Sequence, residues 1–85
     1  MRFIEVESSN LKGVFYKGKT NELFVKFKND SVYRYEDVPK SVYEELLNAE
    51  SKGKFFAQNV KTVFHYENVT GKEDDYVSSS LLSEL

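Results

Sequence analysis

Leu23-Phe24-Val25-Lys26-Phe27-Lys28-Asn29-Asp30-Ser31-Val32-Tyr33-Arg34-Tyr35-Glu36 reads as two strands and the turn between them. Leu23, Val25 and Phe27 alternate with Phe24, Lys26 and Lys28, the period of a pleated strand. Asn29-Asp30-Ser31 is turn chemistry, and Val32 to Glu36 returns. A three-residue loop sets Phe27 opposite Tyr33 and Val25 opposite Tyr35, which gathers the large apolar side chains on one face, except Phe24 and Val32. A two-residue loop puts Val25 opposite Arg34. A one-residue slip exchanges the faces of a strand, so burial selects the first register. Lys26, Lys28 and Arg34 are then expected on the other face, beside Phe24.

Upstream, residues 3–7 alternate as a strand, Ser8-Ser9-Asn10 turns the chain, Leu11 to Tyr16 forms a second strand, and 17–22 is a polar turn. Downstream, Pro39 opens a helix at a position where its missing N–H costs nothing. Val42, Leu46 and Ala49 lie on one face of it, and Gly53 is a stop signal. A second helix is predicted from about Lys54 to Tyr66, with Phe56, Val60, Val63 and Phe64 as its stripe. The expected fold is α+β: an antiparallel sheet of about four strands followed by two helices packed on it. The domain spans 1–66, and 67–85 is a loosely attached acidic and serine-rich tail in which Leu81, Leu82 and Leu85 can make one amphipathic turn.

The 85 residues allow one modest core, enriched in rings at 15% aromatic. The absence of cysteine excludes disulfides, thiolate chemistry and the usual zinc sites, and fits a reducing, cytoplasmic setting. No apolar run is long enough to span a bilayer, and the first residues carry no apolar stretch of signal-peptide length. The two Asn-x-Ser/Thr sequences, at Asn29 and Asn68, read as ordinary loops. Fourteen acids against twelve bases give a net charge of −2, the opposite of the strong basic field of a protein that tracks a long nucleic-acid backbone. A local basic patch suits a ligand with few phosphates.

Gly13-Val14-Phe15-Tyr16-Lys17-Gly18-Lys19-Thr20 matches the P-loop letter for letter. Its variable positions are strand residues and a strand follows it, where a P-loop opens a helix. The match is accidental. His65 is the single histidine, and with Lys61 and Val69 four residues away it has no helical partner of ligand type; it is expected in the last turn of the second helix. No glycine elbow flanks a serine. Neither a catalytic residue nor a metal or cofactor is predicted.

The order Val6, Ser8-Ser9-Asn10-Leu11, Leu23-x-Val25-x-Phe27, Tyr33-Arg34-Tyr35, Val38-Pro39, Val42-Tyr43, Leu46, Ala49, Ser51, Gly53, Phe55-Phe56 and Val60 resembles the KTSC domain. That family is named for an extension at the C-terminus of some lysyl-tRNA synthetases and also occurs as stand-alone small proteins of bacteria and phages. The chain departs from it at Phe15, Lys17 and Ala57. The resemblance implies no enzyme chemistry. Its synthetase context implies RNA binding, and some stand-alone phage members look like sponges for the cyclic dinucleotide signals of bacterial antiviral (CBASS) defence. Both ligands combine phosphodiesters with bases to stack, and the acidic balance favours the small one. The leading expectation is therefore a non-catalytic binder of a small nucleotide. An RNA-binding module comes second and a protein-interaction module third.

Three groups of residues are candidates for such a ligand. Gly53-Lys54 leaves amides at a helix N-terminus, or is a plain turn between helices. Tyr16, Phe24 and Phe55 are expected to be partly exposed and able to stack on bases, while Tyr33, Tyr35 and Phe56 are expected in the core. Lys26, Arg34, Lys52, Lys54 and Lys61 form the basic group, in which Arg34 offers a planar fork; any one lysine alone is explained by solubility. Ser8, Ser9 and Asn10 read a base edge or merely shape the turn. Apolar rings in excess of what two helices cover, with Phe24 and the leucine tail left over, point to a homo-oligomer.

Overall fold

The computed structural model describes residues 2–76. Five strands, β1 (Ile4–Glu5), β2 (Leu11–Lys17), β3 (Glu22–Phe27), β4 (Val32–Tyr35) and β5 (Tyr66–Asn68), form one antiparallel sheet in the order β1-β2-β3-β4-β5. Helices α1 (Lys40–Asn48) and α2 (Lys52–Asn59) lie between β4 and β5 in the chain. The fold is α+β, with one strand more than expected.

The faces follow the alternation. Leu23, Val25 and Tyr35 are buried with Leu11 and Val14 against Leu46, Phe56 and Val60 of the helical layer. Leu11 and Val14 share that face although three residues apart, because the register shifts between Leu11 and Gly13. An extra residue in one strand restores the inward direction after the break. At Gly13 a Cβ would sit 3.0 Å from Phe3 Cβ and 3.1 Å from the Ile4 carbonyl oxygen, so any side chain there would press β1 outward and glycine suits its close approach.

The β3–β4 register keeps the predicted faces but not the predicted partners: Leu23 faces Tyr35 and Val25 faces Tyr33. The loop does have three residues, but they are Lys28, Asn29 and Asp30. The Phe27 N–H donates to the Ser31 carbonyl and the Asp30 N–H to the Phe27 carbonyl, both at 2.9 Å. Asp30 takes the left-handed conformation, φ 69°, as hairpins of this loop length do. Lys28 is thus a loop residue, not a member of the outer face.

Pro39 is the N-cap of α1 rather than its first residue, and Ser51 caps α2 by accepting the Lys54 N–H at 3.4 Å. A serine cap starts the helix earlier than the glycine signal suggested, which puts Gly53 inside its first turn. α2 ends at Asn59. Val60 departs from helical geometry, and turns carry Val60 and Phe64 into the core while Val63 stays exposed. The predicted helix to Tyr66 is therefore corrected: Tyr66–Asn68 pair with β4, and His65 leads into that strand, its carbonyl accepting the Glu36 N–H at 2.9 Å.

The second face of the sheet is also covered. Phe24 and Val32 are fully buried with Val69, and Phe3, Phe15 and Tyr76 pack around them. The Phe24 ring lies 6.1 Å from Phe15 and 5.7 Å from Tyr76. The Val69 N–H donates to the Val32 carbonyl at 2.9 Å, and Thr70 Oγ1 accepts the Val32 N–H at 2.9 Å. The folded part thus reaches past residue 66. Phe24, expected as a partly exposed stacking or interface ring, is instead the centre of a second core. Leu81, Leu82 and Leu85 lie outside the described residues. No helix among those described is long and apolar enough to cross a membrane.

Candidate ligand-binding groove

On the helical side, where the sheet extends beyond the cover of α2, an open groove of about 1200 Å³ runs between the β3–β4 turn and the segment 61–66. Its wall is a closed circuit of five rings. Centroids are 5.6 Å apart from Phe56 to Phe27, 5.5 Å to Tyr33, 5.6 Å to Tyr66, 5.8 Å to Tyr35 and 5.4 Å back to Phe56. Strand alternation supplies Phe27, Tyr33 and Tyr35, α2 supplies Phe56, and β5 supplies Tyr66, which is 52% exposed. Tilted and edge-to-face pairs at these distances are favourable contacts that hold the rings in place. Lys28, Lys61 and His65 stand around the rings with Ser9, Asn10 and Ser31, and none of the described lining residues is acidic. Burial, with a contribution from the neighbouring phenols of Tyr33 and Tyr66, pushes the Tyr35 hydroxyl well above the usual phenol range.

Of the residues singled out in the sequence as ligand candidates, Ser9, Asn10, Gly53 and Lys61 line this groove. Ser8, Ser9, Asn10, Lys52 and Lys54 surround a smaller hollow at the start of α2. There Ser8 Oγ accepts the N–H groups of Asn10 and Leu11, each at 3.2 Å, so it shapes the turn. Lys52 Nζ donates to the Ala49 carbonyl at 3.1 Å and Lys54 is exposed. Phe55 is half-buried against the main core. Tyr16 lies apart from the groove, stacked on Tyr43 at 4.7 Å and donating to the Val38 carbonyl at 2.7 Å.

Lys26 and Arg34 are on the opposite face with Phe24. Lys26 lies over the Phe3 ring at 5.5 Å. Arg34, expected as an exposed fork for phosphate, is only 17% exposed and committed within the fold. Its Nε donates to Glu22 Oε2, its Nη1 lies 2.9 Å from Glu36 and 3.4 Å from Glu67, and its guanidinium covers the Tyr76 ring at 5.1 Å. Burial by itself would raise the Glu22 carboxyl, but hydrogen bonds from Thr20 and Arg34 and the charges of Arg34 and Lys17 outweigh it and hold the group below the usual range. A guanidinium surrounded by three carboxylates is neutralised, and a phosphate brought there would meet net negative charge.

Sequence reasoning missed Phe27, Lys28, Phe64, His65 and Tyr66 as groove residues and assigned Tyr33, Tyr35 and Phe56 to the core alone. The available signal was the pair Tyr33 and Tyr35 on one strand face, more ring area than two short helices cover.

The KTSC domain family matches residues 7–70. A lysine–tRNA ligase of Nostoc punctiforme is 40% identical over 67 residues, which are 79% of this chain and 12% of the ligase. The chain therefore spans only a small part of that relative's length. An uncharacterised protein of Stutzerimonas stutzeri is 38% identical over 61 residues, covering 72% of this chain and 86% of that protein. The crystal structure of a KTSC domain protein from Yersinia pestis superposes with a TM-score of 0.76 at 27% identity, covering 79% of this chain and 94% of that one.

Proposed function

This chain belongs to the KTSC domain family, and from that premise we propose that it is a non-catalytic module that binds a small phosphodiester nucleotide in the ring-lined groove. The observation that carries this reading is the lining itself. In a chain with more acids than bases, the groove combines five aromatic rings with two lysines and a histidine and no carboxylate. A base stacked on an aromatic ring gains about 1–3 kcal/mol, and lysines at the rim supply point charges for phosphate. With few cations the site suits few phosphates. A cyclic dinucleotide, compact and doubly charged, is the ligand proposed, and a module that holds it without turnover would act as a sponge that lowers the free concentration of such a signal. His65 has no carboxylate or thiol beside it among the lining residues, so the ligand is expected to be held and released intact.

One finding favours a second reading. Relatives named lysine–tRNA ligase carry a similar segment, which suits contact with RNA. Calorimetric titration with a cyclic dinucleotide and with a short single-stranded RNA over a salt series separates the two. A shallow dependence on log salt fits two phosphates, and a steep one fits a strand. Tight RNA binding with no dinucleotide binding reverses the order. In either case Tyr66→Ala and Lys61→Glu are expected to weaken binding without unfolding the domain, because both side chains are exposed. Binding unchanged in both variants removes the groove from consideration.

A further inference from the structure

Tyr35 belongs to the main core at 2% exposure, and it also lines the groove. Among the described residues its hydroxyl has no hydrogen-bond partner. Two less buried phenols are satisfied within the fold, the Tyr16 hydroxyl donating to the Val38 carbonyl and the Tyr76 hydroxyl to Glu67, each at 2.7 Å, whereas Tyr35 is the most buried tyrosine of those described. Nor is the Tyr35 oxygen sealed in. The one side-chain oxygen fully shut off without a partner among the described residues is Glu73 Oε2. The Tyr35 oxygen therefore keeps part of the little surface that the residue retains, and the residue lines the groove. A phenol buried to this degree ordinarily finds a partner, because an unmade hydrogen bond costs free energy.

The setting fixes the group in place. Tyr35 sits mid-sheet, paired with Leu23 of β3 and Tyr66 of β5, and its ring meets Phe56 edge-on at 84°. That packing holds the ring in one orientation, so the donor is preorganised. Burial keeps the hydroxyl protonated across the physiological range, so it remains a donor. Lys28, Lys61 and His65 around the same rings disfavour a cationic guest, which an aromatic enclosure would otherwise suit.

We propose that the Tyr35 hydroxyl donates a hydrogen bond to a ring nitrogen or carbonyl oxygen on the edge of a nucleobase stacked in the five-ring circuit, and so selects a base bearing an acceptor over a plain apolar ring. This rests on the groove being a nucleotide site. The test is Tyr35→Phe, which keeps the ring and removes one oxygen, measured by thermal denaturation without ligand and by calorimetry with the cyclic dinucleotide and the short RNA. The expected result is an unchanged or slightly raised melting temperature together with an affinity about tenfold lower for the probe that the unaltered protein binds, the worth of one neutral hydrogen bond. A lowered melting temperature means that the hydroxyl supports the fold, and overturns the inference whatever the ligand. Equal affinity of the two proteins overturns the inference and leaves the groove reading standing. If the unaltered protein binds neither probe, the nucleotide reading falls and takes this one with it.

Discussion

Arg34→Ala separates a structural cation from a ligand-gripping one. Arg34 and Glu22 keep only 17% and 10% of their side-chain surface. Breaking a fully buried pair costs about 3–5 kcal/mol, chiefly because the remaining charge is stranded. Glu22 would not be wholly stranded, since the Thr20 hydroxyl at 2.5 Å and Lys17 at 3.6 Å remain. Loss of the contact with Tyr76 adds about 0.5–1 kcal/mol. The expected cost is then about 2–3 kcal/mol, which in a domain of this size lowers Tm by roughly 10–20 °C. Acid should shrink the difference. The folded-state pKa of Glu22 lies below its unfolded value, so its pairing contributes fully above the usual carboxylate range and is lost as pH falls through the lowered value. Denaturation curves for both proteins from neutral pH down to about pH 3 read this directly, the lower limit lying under an ordinary glutamate pKa. Ligand affinity at a temperature where both are folded should not change. A variant that melts within about 2 °C of the original, less than 1 kcal/mol, or that stays folded and loses the ligand, refutes the assignment.

Phe24→Ala should cost about 3–5 kcal/mol in chemical denaturation, the range for emptying a buried phenylalanine site, whereas an exposed ring would cost almost nothing. Tyr76→Ala removes a ring from both Phe24 and Arg34 and should cost about 1–2.5 kcal/mol; no change in unfolding midpoint would mean that the segment over the second face adds nothing. Gly53→Ala places a Cβ 2.9 Å from Ser8 Oγ, an atom held by two backbone N–H groups. It should destabilise despite the better helix propensity of alanine, and in a Ser8→Ala background the same change should become neutral or favourable, as a double-mutant cycle would record. Self-association, expected from the excess of rings, loses Phe24 as an interface residue because that ring is buried; light scattering over a dilution series reads it, and a monomer throughout rejects it.

What the sequence made legible was local. Alternation assigned Leu23, Val25, Phe27, Tyr33 and Tyr35 to one face, and the turn residues limited the register to a choice that the core could make. The choice of partners slipped because the left-handed residue is Asp30, so the loop starts at Lys28; a sequence does not announce which of three turn residues will take that conformation. β5 was hidden because Phe56, Val60, Val63 and Phe64 continue a helical period while the chain is already in turns. The three residues that then form the strand are all exposed and carry no alternation. Phe24 and Arg34 were misjudged in part because Val69, Glu67 and Tyr76, which help to cover them, come from far along the chain; the partners Glu22 and Glu36 of Arg34 lie nearer in the sequence and were not weighed. The groove needed the same long-range information, because its rings come from β3, β4, α2 and β5 and only the tertiary fold closes the circuit.

The central claim is that the ring-lined groove, not the Arg34 face, holds the ligand. Amide chemical-shift mapping of the labelled protein during titration with a cyclic dinucleotide tests it most directly. The predicted result is a set of saturable shifts confined to Asn10, Lys28, Tyr33, Lys61, His65 and Tyr66. Shifts clustered instead at Lys17, Lys26, Arg34 and Tyr76, or at Gly53 and Lys54 alone, would contradict it.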